Sequence, residues 1–108
     1  LIVIYKPDGT LVGTLGEEAL SWSSPQDIAI DEAGYFYLAD WSPDCMLKLD
    51  PEGNLVGQFG VDSENGETPR PAGVFHNVDG VAVTPDGSRV FLSDWSNEYA
   101  YITAFTFE

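Results

Sequence analysis

The feature that most constrains this chain is that it repeats itself. Phe36-Tyr37-Leu38-Ala39-Asp40-Trp41 returns as Val90-Phe91-Leu92-Ser93-Asp94-Trp95, and both copies close on Asp-Trp. Pro7 to Gly16 (PDGTLVGTLG) and Pro51 to Gly60 (PEGNLVGQFG) align over ten positions without a gap, at an offset of 44. The apolar runs are short, rich in β-branched and aromatic residues and bounded by Gly, Pro, Asp and Ser, so each reads as a strand between turns. A repeated unit of this size cannot bury its own apolar face. It must stack on a neighbouring copy.

In chain order, the apolar run Leu1 to Tyr5 and the run Thr10 to Leu15 flank Lys6-Pro7-Asp8-Gly9, a hairpin turn by composition. Residues 17–24 form a polar connector. Ile28-Ala29-Ile30 then leads through Asp31-Glu32-Ala33-Gly34 into the first Asp-Trp strand, and its echo is Val81-Ala82-Val83 through Thr84-Pro85-Asp86-Gly87 into the second. In both, two branched residues share one strand face and a small Ala lies on the other. Residues 46–60 repeat the opening hairpin, a long connector spans 61–77, and Tyr99 to Glu108 alternates as a final strand.

The spacing therefore predicts an all-β, antiparallel chain with no helix. Its nine strands are the third and fourth of one unit, all four of the next, and the first three of another. Four short strands per period of about 40–50 residues is the pattern of a β-propeller blade. The pieces are 1–16, 25–60 and 78–108 of a single segment, about two blades in all. Closure takes four to eight blades, so a lone segment leaves apolar faces and a strand edge open. The expectation is a ring closed by oligomerisation, with a trimer favoured. Both ends offer a third strand, so on closure one is displaced or becomes an extra edge.

Charge narrows the partners. Four Lys and Arg stand against 18 Asp and Glu, a net charge of −14, a field that repels phosphate backbones and anionic lipid. Nucleic acid and membrane surfaces are thus set aside, and the charge reads as a solubilising or salt-tolerant surface, the alternative being attraction of cations or basic ligands. No apolar run approaches the ~20 residues a membrane helix needs, so a soluble chain is expected, without a mark of its compartment. The first residue is not Met, which reads as a trimmed start. The single cysteine, Cys45, excludes an intrachain disulfide and reads as a small core filler.

The stretches 28–40 and 47–60 (IAIDEAGYFYLAD and LKLDPEGNLVGQFG) resemble the NHL repeat, the blade of a six-bladed propeller class. DGVAVTPDG (79–87) running into 89–94 also resembles gluconolactonase-type (regucalcin-like) propellers. The resemblance covers nearly the whole chain. It implies a propeller fold and, because such blades serve enzymes, receptors and scaffolds alike, leaves two functions. The first is a non-enzymatic binding or scaffold module for protein or small-molecule partners. The second is a calcium-dependent hydrolase, in which the channel-facing start of the first strand supplies metal ligands: Asp79 matches that position and Gln26 is its equivalent.

Other candidates come from the residues themselves. Asp40 and Asp94 suit carboxylates that accept backbone N–H groups and fix a turn. Trp41 and Trp95 are expected to pack on an adjacent blade, the alternative being an exposed rim aromatic that stacks on a ligand. His76, the only histidine, sits beside Asn77 at the end of the long connector, where an imidazole suits a base or a ligand and is more often incidental. The connector carries Asp62, Glu64 and Glu67 in a pattern one residue short of a calcium loop, because Gly66 falls at the fifth place. It is a candidate for ligand contact, against the plainer reading of a solvated loop. There is no Gly-x-Ser-x-Gly elbow, and one Cys with one His draws no nucleophile and base pair.

Overall fold

A computed structural model describes residues 1–42, 44–62, 73–95 and 100–107. Every helix or strand element among them is a strand. β1 (Ile2–Tyr5) and β2 (Leu11–Leu15) form a hairpin. β3 (Pro25–Ile30), β4 (Phe36–Trp41), β5 (Asp44–Leu49) and β6 (Leu55–Phe59) form a four-stranded antiparallel meander. β9 (Val78–Val83), β10 (Arg89–Trp95) and β11 (Ala100–Thr106) form a three-stranded one. Sheets of two, four and three strands in sequential order are what the repeat predicts.

The turns explain the regularity. In four hairpins a glycine with positive φ, Gly9, Gly34, Gly53 and Gly87 (φ 91, 91, 88 and 74), closes the bend. Each donates its N–H to the carbonyl three residues earlier, at 2.9–3.1 Å, on Lys6, Asp31, Asp50 and Thr84 respectively. A tight turn ending in a left-handed residue is what Pro/Glu-Asp/Glu/Ala-Gly sequences encode.

The connector 61–77 is not entirely loop. Its described ends form a short parallel pair, β7 (Val61–Asp62) with β8 (Val74–Phe75), and Phe75 lies in the core at 1 % exposure. The contacts explain this: a Cβ on Gly60 would collide with the Phe75 ring, so the glycine leaves room for it.

Alternation divides the apolar residues of the central sheet between two cores. Tyr37, Ala39 and Met46 face the three-stranded sheet and pack with Phe75, Val78, Val81, Val90 and Leu92. Phe36, Leu38, Cys45, Leu47 and Leu49 face the other way, under Leu20, Ile2 and Leu15 of the N-terminal segment. Cys45 is a buried filler, as expected. β4 is thus covered on both faces, and each fully buried side chain of this kind contributes about 1.5–3 kcal/mol.

The two larger sheets are also joined by carboxylates. Asp27 Oδ2 accepts the Val81 N–H at 3.0 Å, and Asp44 Oδ1 accepts the Val78 N–H at 2.8 Å. Both donors belong to β9, so the innermost strand of the second repeat is held by acids of the first.

One face stays open. Ile28 and Ile30 are 43 % and 56 % exposed, whereas Val81, their counterpart one repeat later, is 9 % exposed and packs with Val83 against the core. Val81 shares one core with Tyr37 and Ala39 of the first sheet, and Ala29 and Val83 both pack against that core.

Candidate functional site

The site forms at the end of the sheets where β3 and β9 begin and β4 and β10 end. There the two Asp-Trp motifs perform the same local task. Asp40 Oδ1 accepts the Ser24 N–H at 2.7 Å, and the Trp41 N–H returns to the Ser24 carbonyl at 3.1 Å. Asp94 Oδ2 accepts the His76 N–H at 3.0 Å, and the Trp95 N–H returns to the His76 carbonyl at 3.1 Å. Both carboxylates are buried, as fixers of backbone rather than exposed acids. Burial raises the pKa of Asp40 above its ordinary value, opposed by the N–H groups of Ser24, Ser42 and Trp41. Its Oδ2 is buried and has no hydrogen-bond partner among the described residues.

Just after each latch the inner strand bulges. Pro25 pairs with Asp40 and Asp27 with Ala39, leaving Gln26 over. Val78 pairs with Asp94 and Gly80 with Ser93, leaving Asp79 over. The sequence equivalence of Gln26 and Asp79 is thus a structural one, and a bulge re-aims the side chain it carries.

The copies differ by one residue. Ser24 is followed directly by Pro25, whereas Asn77 stands between His76 and Val78, in the left-handed region at φ 52. Asn tolerates that conformation better than most residues. Its side chain joins the repeats: Oδ1 accepts the Trp41 indole N–H at 3.1 Å, and Nδ2 donates to the Trp95 carbonyl at 3.3 Å.

These features converge on one cleft of about 220 Å³, lined by Gln26, Trp41, Asn77, Val78, Asp79 and Trp95. Five of the six are sequence candidates, brought together although 69 positions separate the first from the last. Val78 is the one that residue type gave no reason to single out. Within the chain Trp41 and Trp95 are 53 % and 48 % exposed at the strand ends, and Trp41 meets the adjacent repeat through its indole N–H on Asn77 rather than by burial under it. Larger depressions occur, one of about 490 Å³ along Gly16–Ala19 and Glu52–Leu55. It is lined by turn residues without an aromatic.

The remaining candidates do not join the cleft lining. His76 contributes its backbone to the Asp94 latch. Asp62 has only its backbone described, in β7, and Glu64 and Glu67 lie outside the described residues. Among the described residues no three His, Cys, Asp or Glu side chains gather as for a metal. No helix among them is long and apolar enough to cross a membrane.

Neither Asp27 nor Asp44 stands out in the sequence as a link between sheets. Their function in joining the sheets depends on tertiary packing, and the one available signal was an acid at or next to a strand start. Compared with known proteins, the chain matches no protein-family model, and no curated protein is similar to it.

Proposed function

We propose that the chain is a non-enzymatic binding or scaffold module made of propeller-type repeats of the NHL kind, which completes itself by associating with further copies. One observation carries this: Ile28 and Ile30 are open where their counterparts Val81 and Val83 are packed. Within the chain, the counterparts belong to the core to which the preceding repeat contributes Tyr37 and, at its margin, Ala29. By the strand register, the residues equivalent to Ala29 and Tyr37 in the second repeat are Ala82 and Phe91. One copy's Ala82 and Phe91 face therefore suits the next copy's Ile28 and Ile30, head to tail, which closes a ring when the rotation permits. The opening hairpin and β11 both take third-strand places, so one of them shifts outward at such a joint.

Light scattering after size exclusion, across a range of concentrations, tests the proposal. A mass of several chains is expected, three by preference, and Ile28→Glu with Ile30→Glu reduces it to one chain while leaving the far-ultraviolet circular dichroism intact. A parent that stays monomeric throughout, or a double variant that assembles as the parent does, overturns it.

A further inference from the structure

We propose that the cleft between the two repeats binds a substituted ammonium group, the cationic head of a small molecule or of a side chain. The inference deepens the binding-module reading and rests on it. It comes from which groups around the cleft are already in use. The Trp41 indole N–H is given to Asn77, an Asn77 amide N–H to the Trp95 carbonyl, and a Gln26 amide N–H to the Ser24 carbonyl at 3.2 Å. The Asp79 carboxylate has no hydrogen bond from the described residues and is exposed at the bulge. An acid, the Gln26 amide oxygen and two half-exposed indoles are therefore what the cleft presents to a ligand.

Acceptors together with aromatic faces suit a cation that is also greasy. Indole is the best of the aromatic partners for such a cation, and substituted ammonium heads are bound in aromatic cages elsewhere. No Lys or Arg among the described residues lines the cleft, and the chain's charge of −14 draws cations toward it. Size agrees: about 220 Å³ is below the roughly 300–1,000 Å³ of sites for whole drug-sized ligands, and suits a single head group. A sugar is served less well, since the Trp41 indole N–H and one amide N–H each of Asn77 and Gln26 are already given within the protein. A bare calcium ion is also a poor fit, because it takes about 6–8 oxygen ligands and gains nothing from indole faces.

The test is titration of the isotope-labelled chain with tetramethylammonium chloride, followed by the indole N–H resonances, with sodium chloride at matched ionic strength as background. Neutral tert-butanol, methyl glucoside and calcium chloride serve as comparison probes. The Trp41 and Trp95 signals are expected to shift with the cation while Trp22, which is 91 % exposed, does not. Binding of tert-butanol is expected to be about 10-fold weaker. Trp95→Ala and Asp79→Asn are each expected to weaken the cation about 5- to 10-fold, and Trp95→Phe less, which separates loss of the ring from loss of the fold. A peptide carrying one trimethyl-lysine, set against choline, distinguishes the sources: tighter peptide binding assigns a side chain, equal binding a free small molecule, and either supports the proposal.

If tert-butanol, methyl glucoside or calcium shifts the cleft signals as tightly as the cation, or Asp79→Asn leaves cation affinity unchanged, the ammonium assignment is overturned and the binding-module reading survives. If no probe moves either tryptophan, the ammonium assignment fails through the cleft itself, whereas the module reading is judged separately by its assembly.

Discussion

Set side by side, Ser24 with Asp40-Trp41 and His76 with Asp94-Trp95 are one device built twice, and only the second copy carries an additional residue. In the first, the chain passes from the latch straight into Pro25 and the inner strand. In the second, Asn77 interrupts at φ 52 and reaches back to the Trp41 of the first copy. The repeated parts hold each sheet together. The part that departs from the repeat joins the two sheets and frames the cleft, so the insertion rather than the shared motif creates the candidate site.

The largest expected effects lie at the latches. Asp40→Ala strands the backbone N–H groups of Ser24 and Ser42 and Asp94→Ala that of His76, and each is expected to cost about 2–3 kcal/mol in urea unfolding. If one costs less than half the other, the two are not the same device. Next comes the added residue. Asn77→Val forces a β-branched side chain into the left-handed region, at a cost of about 1–3 kcal/mol. Asn77→Gly accepts the backbone and should stay within about 1 kcal/mol of the parent, yet move the Trp41 indole resonance. A large loss of stability in the glycine variant would make Asn77 a fold element first and a cleft element second.

Asp27→Ala removes the acceptor of the Val81 N–H and is expected to cost about 1 kcal/mol, given its exposed setting. Amide exchange should speed up at Val81 more than at Leu92.

The smallest effect is in pH. Because burial holds the Asp40 carboxyl above its ordinary 3.8, the folded chain keeps that proton to higher pH than the unfolded chain does. Ionisation of Asp40 therefore detracts from stability above its folded value, and this penalty is relieved as pH falls through that value toward 3.8. Asp8, Asp50 and Asp86 act oppositely: hydrogen bonds in their turns, chiefly from Thr10, Asn54 and Ser88 respectively, lower them below 3.8. Their contribution is present above 3.8 and lost as pH falls through their folded values. Comparing Asp40→Asn with the parent across the acid range cancels the three turn acids. The variant should gain less from mild acidification than the parent does, and an identical pH dependence would show that the buried Asp40 carboxyl does not titrate apart from its unfolded form.

Strands, their order and the bends between them were legible because they rest on local chemistry, namely the glycine that ends each turn and the apolar runs between. The latch role of Asp40 and Asp94 was legible for the same reason. The cleft was legible only in pieces. Gln26 and Asp79 stood out as equivalent strand starts, Trp41 and Trp95 as equivalent strand ends, and Asn77 as a neighbour of the only histidine. Nothing in their spacing says that they meet, because the meeting depends on two bulges and on the packing of one sheet over the next. Phe75 was hidden similarly, within a connector whose polar stretch masked a core residue at its end.

Asp27 and Asp44 also give the molecule a direction. In a linear array of stacked units, total stability is the sum of what each unit holds by itself and a coupling to its neighbour. Here the coupling of the first unit to the second combines a shared apolar core with hydrogen bonds that include two charge-assisted ones onto β9. At the position equivalent to Asp27 the second unit has Gly80, which has no side chain to pass the same link onward. The carboxylate link that Asp27 makes inside the chain is therefore one that the second unit has no residue at this position to repeat.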